Sequence, residues 1–196
     1  MSPLATVLYE DTMLPNPEGN YPLHDLVMRM VEDDINGQTW KLRKLDIEPI
    51  PCRGVSKVLA KLKNTSRIAG RGVMLLLVDR DKIHRELKLE KSVSDHVIEA
   101  AIRERSNAPT KVFVYLLEQN LEGLLRTLQA CNPALLPSEV QSALRKNLND
   151  RDIVLKASAK ATNTELRRCI RDGQTGLNDL VLSLNQIIGK NVKPWP

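Results

Sequence analysis

Six consecutive apolar residues, Val73-Met74-Leu75-Leu76-Leu77-Val78, stand immediately before Asp79-Arg80-Asp81. The run is far shorter than the roughly 20 apolar residues that span a bilayer, and its lack of alternation marks a strand covered on both faces. Such strands belong to parallel sheets, whose helical crossovers supply the two covers. The rest of the first two thirds of the chain supplies the helices. Ala5 to Glu10 is a short apolar run ending in acids, and Pro15, Asn16, Pro17, Gly19 and Pro22 then mark a loop. Leu23, Leu26, Val27, Met30 and Val31 keep a helical period up to Asn36-Gly37. Residues 40–50 alternate as a half-exposed strand closed by Pro49 and Pro51, and Val55, Val58, Leu59 and Leu62 line a second helix. Val93, Val97, Ala101 and Ile102 predict a third helix, Lys111 to Leu117 a fourth strand, and Leu121, Leu124, Leu125 and Leu128 a further helix. The expectation is an α/β fold with four mostly parallel strands flanked by helices.

After Asn132-Pro133 no strand signal remains. An S-x-x-Q capping box at Ser138 to Gln141 opens a series of helices near 138–148, 150–158, 163–171 and 177–188. Leu177, Leu180, Val181, Leu184, Ile187 and Ile188 form the strongest apolar stripe. The chain thus divides into an α/β domain, 1–130, and a helical extension packed on it, 131–196. With 196 residues and 42% hydrophobic content, two independent domains would be cramped.

In an open parallel sheet, ligand chemistry gathers outside the carboxyl ends of the strands. Acids occur there repeatedly: Glu10 and Asp11 after the first strand, Asp79 and Asp81 after the third, Glu118 and Glu122 around the end of the fourth. Carboxylates brought together raise one another's pKa unless a cation intervenes, and a hard divalent ion is the simplest such cation. Mg²⁺ or Mn²⁺ takes oxygen ligands, keeps several waters and needs only one or two carboxylates besides phosphate oxygens. Asp79 and Asp81 fit that need, with a turn after Asp79 letting both face one ion, and Glu10 serving as a ligand or as general acid/base in phosphodiester hydrolysis. Glu122 is a further candidate ligand, whereas Glu118 reads as a solvated strand end. His24, His84 and His96 lack metal-ligand spacing.

Residues 53–71 contain six Arg and Lys residues and no acid. Within them Arg53, Lys57 and Lys61 are candidates for phosphate contacts, with a solvated helix face as the competing reading. Arg53-Gly54 is the best placed, at a strand-to-helix turn where backbone can approach a phosphate. The pattern is not a P-loop. A net charge of +5 is compatible with a polyanionic partner, while 3% aromatics argue against a base-stacking platform. Cys52, Cys131 and Cys169 are odd in number and widely spaced, so neither a disulfide framework nor a zinc ribbon is expected. With no leader-like start and no membrane-spanning run, the expected location is a reducing cytoplasm, with no membrane partner.

The order of these motifs resembles the TOPRIM fold of topoisomerases, bacterial primases and the overcoming-lysogenization-defect nucleases. The segments LYED, at residues 8–11, and LLLVDRD, at residues 75–81, carry the likeness. It is closer to small stand-alone TOPRIM-like bacterial proteins related to the last group. Arg53-Gly54-Val55-Ser56-Lys57 is similar to their x-G-x-x-K turn, and residues 120–125, NLEGLL, to their E-[IL]-E-x-[WY]-L segment. Asn120 stands where that segment has its first acid, and Glu122 keeps the second. Residues 150–173 and 176–188 also look like that group's helical tail. The resemblance implies a Rossmann-like TOPRIM sheet and a Mg²⁺-dependent nuclease centre. In it Glu10 is general base or acid and Asp79 and Asp81 are metal ligands. A separate ABC or SMC-like ATPase often accompanies such proteins in anti-phage defence modules.

Two other functions fit parts of the pattern. A non-catalytic interaction module would keep the fold and use the basic segment or the helical tail. A receiver-like phospho-acceptor would share the acids after strands one and three, but its Lys-Pro should close a fifth strand, and Lys193-Pro194 follows a long helical region instead.

Overall fold

Side-chain parity along the strands assigns the core to two helical layers, one on each face of a central sheet. The computed structural model describes residues 3–10, 21–35, 47–63, 72–118, 120–145 and 151–191. The expected loop at Pro15 to Gly19, the helix stop at Asn36-Gly37, the second strand before Ile47, and Asp11, Arg67, Arg71 and Lys193-Pro194 lie outside those residues. Among the described residues there are four strands, β1 (Ala5–Tyr9), β2 (Ile47–Pro51), β3 (Val73–Asp79) and β4 (Val112–Leu117), in the order β2-β1-β3-β4. Every pairing is parallel. The chain is therefore an α/β protein with a four-stranded parallel sheet of Rossmann-like arrangement.

Ala5, Val7 and Tyr9 of β1, Leu75 and Leu77 of β3, and Tyr115 and Leu117 of β4 pack into one core. The helices on that face are α1 (Pro22–Asp34), α5 (Asn120–Ala130), α6 (Ser138–Arg145), α7 (Arg151–Ser158), α8 (Thr164–Asp172) and α9 (Thr175–Asn191). Leu8, Met74, Leu76, Val78, Val112, Val114 and Leu116 face the other way. There they meet α2 (Val55–Lys63), α3 (Arg80–Glu86) and α4 (Asp95–Arg103). The continuous apolar run of β3 is thus explained: both of its faces are covered.

Three local expectations need correction. The prolines of the second strand lie within it, with Pro49 opposite Val7 and Pro51 opposite Tyr9. An edge strand tolerates them because it pairs on one side only, so the missing N–H groups can face outward. No separate turn follows Asp79, because α3 starts at Arg80. In α4 the buried residues are Ile98 and Ile102, while Val97 is exposed, so the apolar stripe is offset from the one expected. At the start of α6, the Gln141 side chain donates to the Pro133 and Leu136 carbonyls, tying the helix back onto the preceding 3-10 turn.

The boundary at 130/131 separates two sequence patterns, but the buried core runs across it. In α9, Leu177, Leu180, Val181, Leu184 and Ile188 are buried, and the helix lies against β4, β3 and α1. Gly176 sets that approach: a Cβ there would fall 2.0 Å from the Leu116 carbonyl oxygen. In α8, the wholly buried Arg167 guanidinium donates to both carboxylate oxygens of Asp33 on α1, at 2.6 and 2.8 Å. It also donates to the carbonyls of Ser158, Lys160 and Ala161, so the buried charge is paired and bonded. Arg171 adds a bond to Asp34, and α8 is thereby fastened to α1.

Cys131 and Cys169 form a disulfide, with Cα atoms 6.1 Å apart. This overturns the expectation of no disulfide: cysteines separated by 38 residues are brought together by the packing of α8 beside the end of α5. Cys52 is free and buried. By loop-closure entropy, reducing the bond is expected to cost ~4 kcal/mol of stability, read as a lowered urea midpoint after reduction or in Cys131→Ser. Gly176→Ala is expected to cost about 2 kcal/mol or more in the same assay, because α9 must move off β4.

Candidate functional site

Strand order brings the acids together. From β1 the chain passes through α1 to β2 on one side, and from β2 through α2 across to β3 on the other. Since α1 and α2 cover opposite faces, the connections diverge between β1 and β3. In open α/β sheets a ligand crevice opens at this point, outside the carboxyl ends of the strands. Tyr9 is in register with Leu77, so Glu10 and Asp79 follow on neighbouring strands at that edge.

The two acids are directly linked. The Glu10 backbone N–H donates to the Leu77 carbonyl at 3.2 Å, and the Asp79 backbone N–H donates to Glu10 Oε2 at 2.8 Å. Asp79 occupies the N-cap position of α3, yet its carboxylate makes no capping bond to that helix. It pairs instead with Lys82 Nζ, which also lies 3.1 Å from Glu10 Oε1. One ammonium therefore sits between two carboxylates whose side chains are each only 6% exposed. Burial raises the Glu10 carboxyl above its ordinary pKa, reinforced by the Asp79 charge and opposed by its bonds to the Asp79 N–H and Lys82. Partial burial pulls Lys82 down, but its bonds to Asp79 and Glu10 and their charges carry it above its ordinary value.

Lys82 is a site residue that neither the acids nor the basic run of the sequence single out. Its signal is the i, i+3 spacing from Asp79, which becomes meaningful once the helix is known to start directly after the strand. Asp81 is in the first turn of α3 and exposed, one helical step away from the Glu10–Asp79 pair rather than bridged to it by Lys82. Between the two aspartates, Arg80 turns away to Asp95 Oδ1 at 2.6 Å and to the Val93 carbonyl at 3.1 Å. Glu118 is exposed at the end of β4. Glu122 belongs to α5, and its side chain lies outside the described residues.

Tyr9, immediately before Glu10, is anchored on the opposite side of the strand. Its hydroxyl is 2.8 Å from His24 Nδ1, and the rings meet edge to face. Burial pushes the His24 pKa down to about 4 and the Tyr9 pKa up, so a phenol donating to a neutral imidazole is the favoured state. His84 is also internally satisfied, through the Glu90 carbonyl. Neither histidine is arranged as a ligand.

Beside Glu10, the Cys52 backbone N–H donates to the Tyr9 carbonyl and brings the β2–α2 turn to the same edge. Gly54 has φ +100°, a conformation that L side chains rarely adopt, which explains glycine in this turn. Arg53, Lys57 and Lys61 are exposed, and none forms a salt bridge among the described residues. The fold thus places basic side chains around the turn and along α2.

Also among the described residues, no group of three or more His, Cys, Asp and Glu side chains is arranged to hold a metal ion. Glu10 and Asp79 nevertheless supply two oxygens converging on one cation, the Lys82 ammonium. This donor set meets the minimum for Mg²⁺, which takes one or two carboxylates and fills its shell with water or phosphate oxygens.

Because the folded-state pKa of Glu10 is raised, the folded chain holds its proton more tightly than the unfolded chain. Its contribution to stability is greatest at acid pH and falls as pH rises through the folded pKa. Glu10→Gln is therefore expected to melt above the natural protein at about pH 7, with the gap closing toward about pH 4; melting curves across that range test the sign. Comparison of the chain with protein families, with curated proteins and with solved structures returns no match.

Proposed function

We propose that the chain is a Mg²⁺- or Mn²⁺-dependent nuclease acting on DNA or RNA, a TOPRIM-like relative of the overcoming-lysogenization-defect group. The observation that carries this reading is the buried pair Glu10 and Asp79, facing one cation at the carboxyl edge of the parallel sheet. Glu10 and Asp79 would hold the metal, with Asp81 as the further ligand that the resemblance implies and Glu122 as an additional candidate. When bound, such an ion polarises a phosphodiester and makes an attacking water more acidic. Glu10 is also the general base or acid at the reacting oxygen that the resemblance implies. Arg53, Lys57 and Lys61 neutralise phosphates along the substrate strand.

A separate ABC or SMC-like ATPase is the proposed partner in an anti-phage module, and the cytoplasm the proposed location. The Cys131–Cys169 bond weighs against that location, because disulfides are rare in reducing compartments. Among the described residues no helix is long and apolar enough to cross a membrane.

A second reading, the non-catalytic interaction module, is favoured by one specific arrangement: Lys82 already pairs with both Glu10 and Asp79 while Asp81 is exposed. Cleavage of plasmid DNA and of total RNA in Mg²⁺ or Mn²⁺ separates the two. For a nuclease, Asp79→Ala and Glu10→Gln should each lower the rate by about 10²-fold or more with folding preserved. Intact substrates together with no heat of metal binding would count against the nuclease and favour the interaction module.

A further inference from the structure

The Lys82 ammonium marks the point on which one oxygen of Glu10 and one of Asp79 converge. The carboxylates are held in place. Glu10 is tied through both its backbone N–H and its Oε2, Asp79 belongs to the end of β3, and both side chains are nearly buried. Lys82 differs, with its side chain 48% exposed. Its helix is fixed by the buried Ile83, by the bond from His84 to Glu90, and by Arg80 on Asp95, so the part able to leave is the flexible side chain.

We infer that Lys82 is a resident counter-ion which a divalent cation must displace, so that its charge sets the metal affinity of the centre. The inference rests on the metal reading above and adds its regulation. A cation entering between Glu10 and Asp79 meets an ammonium at the same oxygens, and two like charges cannot share them closely without strong repulsion. Occupancy is therefore an exchange of one cation for another. The centre stays partly neutralised and closed when divalent ions are scarce, and Lys82 is released toward solvent when they bind.

The test is titration of the full chain with Mn²⁺ alone, following free Mn²⁺ by electron paramagnetic resonance and the heat by calorimetry. The natural protein is compared with Lys82→Ala, Lys82→Met and Lys82→Arg. Lys82→Met keeps much of the aliphatic stem, and Lys82→Arg keeps the charge if full neutralisation harms folding. Neutral variants should bind Mn²⁺ about tenfold more tightly or better, and Lys82→Arg should not gain affinity. Mn²⁺ binding by the natural protein with unchanged or weaker binding by the neutral variants would overturn the counter-ion role and leave the metal reading standing. No Mn²⁺ binding by any folded form would overturn both.

Discussion

Burial of β1 and β3 on both faces is the constraint from which the architecture follows. A strand with helices above and below has no solvated side, so nearly every residue along it must be apolar, as Leu75 to Val78 are. Burial of each large aliphatic side chain contributes about 1.5–3 kcal/mol, and the two cores are largely Leu, Val and Ile. Charged groups are consequently displaced to the strand ends. Glu10 and Asp79 sit one step beyond the apolar register, where loops and helix starts supply hydrogen bonds.

At that edge the same low exposure which raises Glu10 makes an unbalanced pair of carboxylates unfavourable. The protein meets this with Lys82, from the first turn of the helix that β3 feeds directly. A buried acid pair closed by a half-exposed ammonium leaves room for exchange, whereas the Arg167–Asp33 pair does not. Arg167 spends its donors on Asp33 and three carbonyls in the interior, an arrangement suited to fastening helices. These two ion clusters have different surroundings and different consequences: one joins elements, the other gathers carboxylate oxygens at the carboxyl edge of the sheet.

The helices after residue 131 complete the first core. Without α9, Tyr115 and Leu117 of β4 would lose their cover, and without α8 the ends of α1 and α5 would lose both an ion-pair anchor and a covalent one. Their amphipathic spacing was legible because burial repeats with the helical period. The position of Gly176 was not, because its small size matters only against the Leu116 carbonyl of a strand 60 residues earlier.

Local periodicity determined the elements: the two-sided strand at Val73 to Val78, the helical stripe from Leu177 to Ile188, and acids at the tips of strands one and three. These depend on the burial pattern of successive residues and are written directly in the chain. Tertiary structure alone decided that β1 and β3 are neighbours, that Glu10 reaches the Asp79 backbone across 69 residues, and that Lys82 rather than Asp81 completes the cluster. It likewise decided that Cys131 meets Cys169. The physical reason is common to all four: strand order and helix packing are non-local, so a period of 2 or 3.6 says which face a residue occupies but not which residue will stand opposite it.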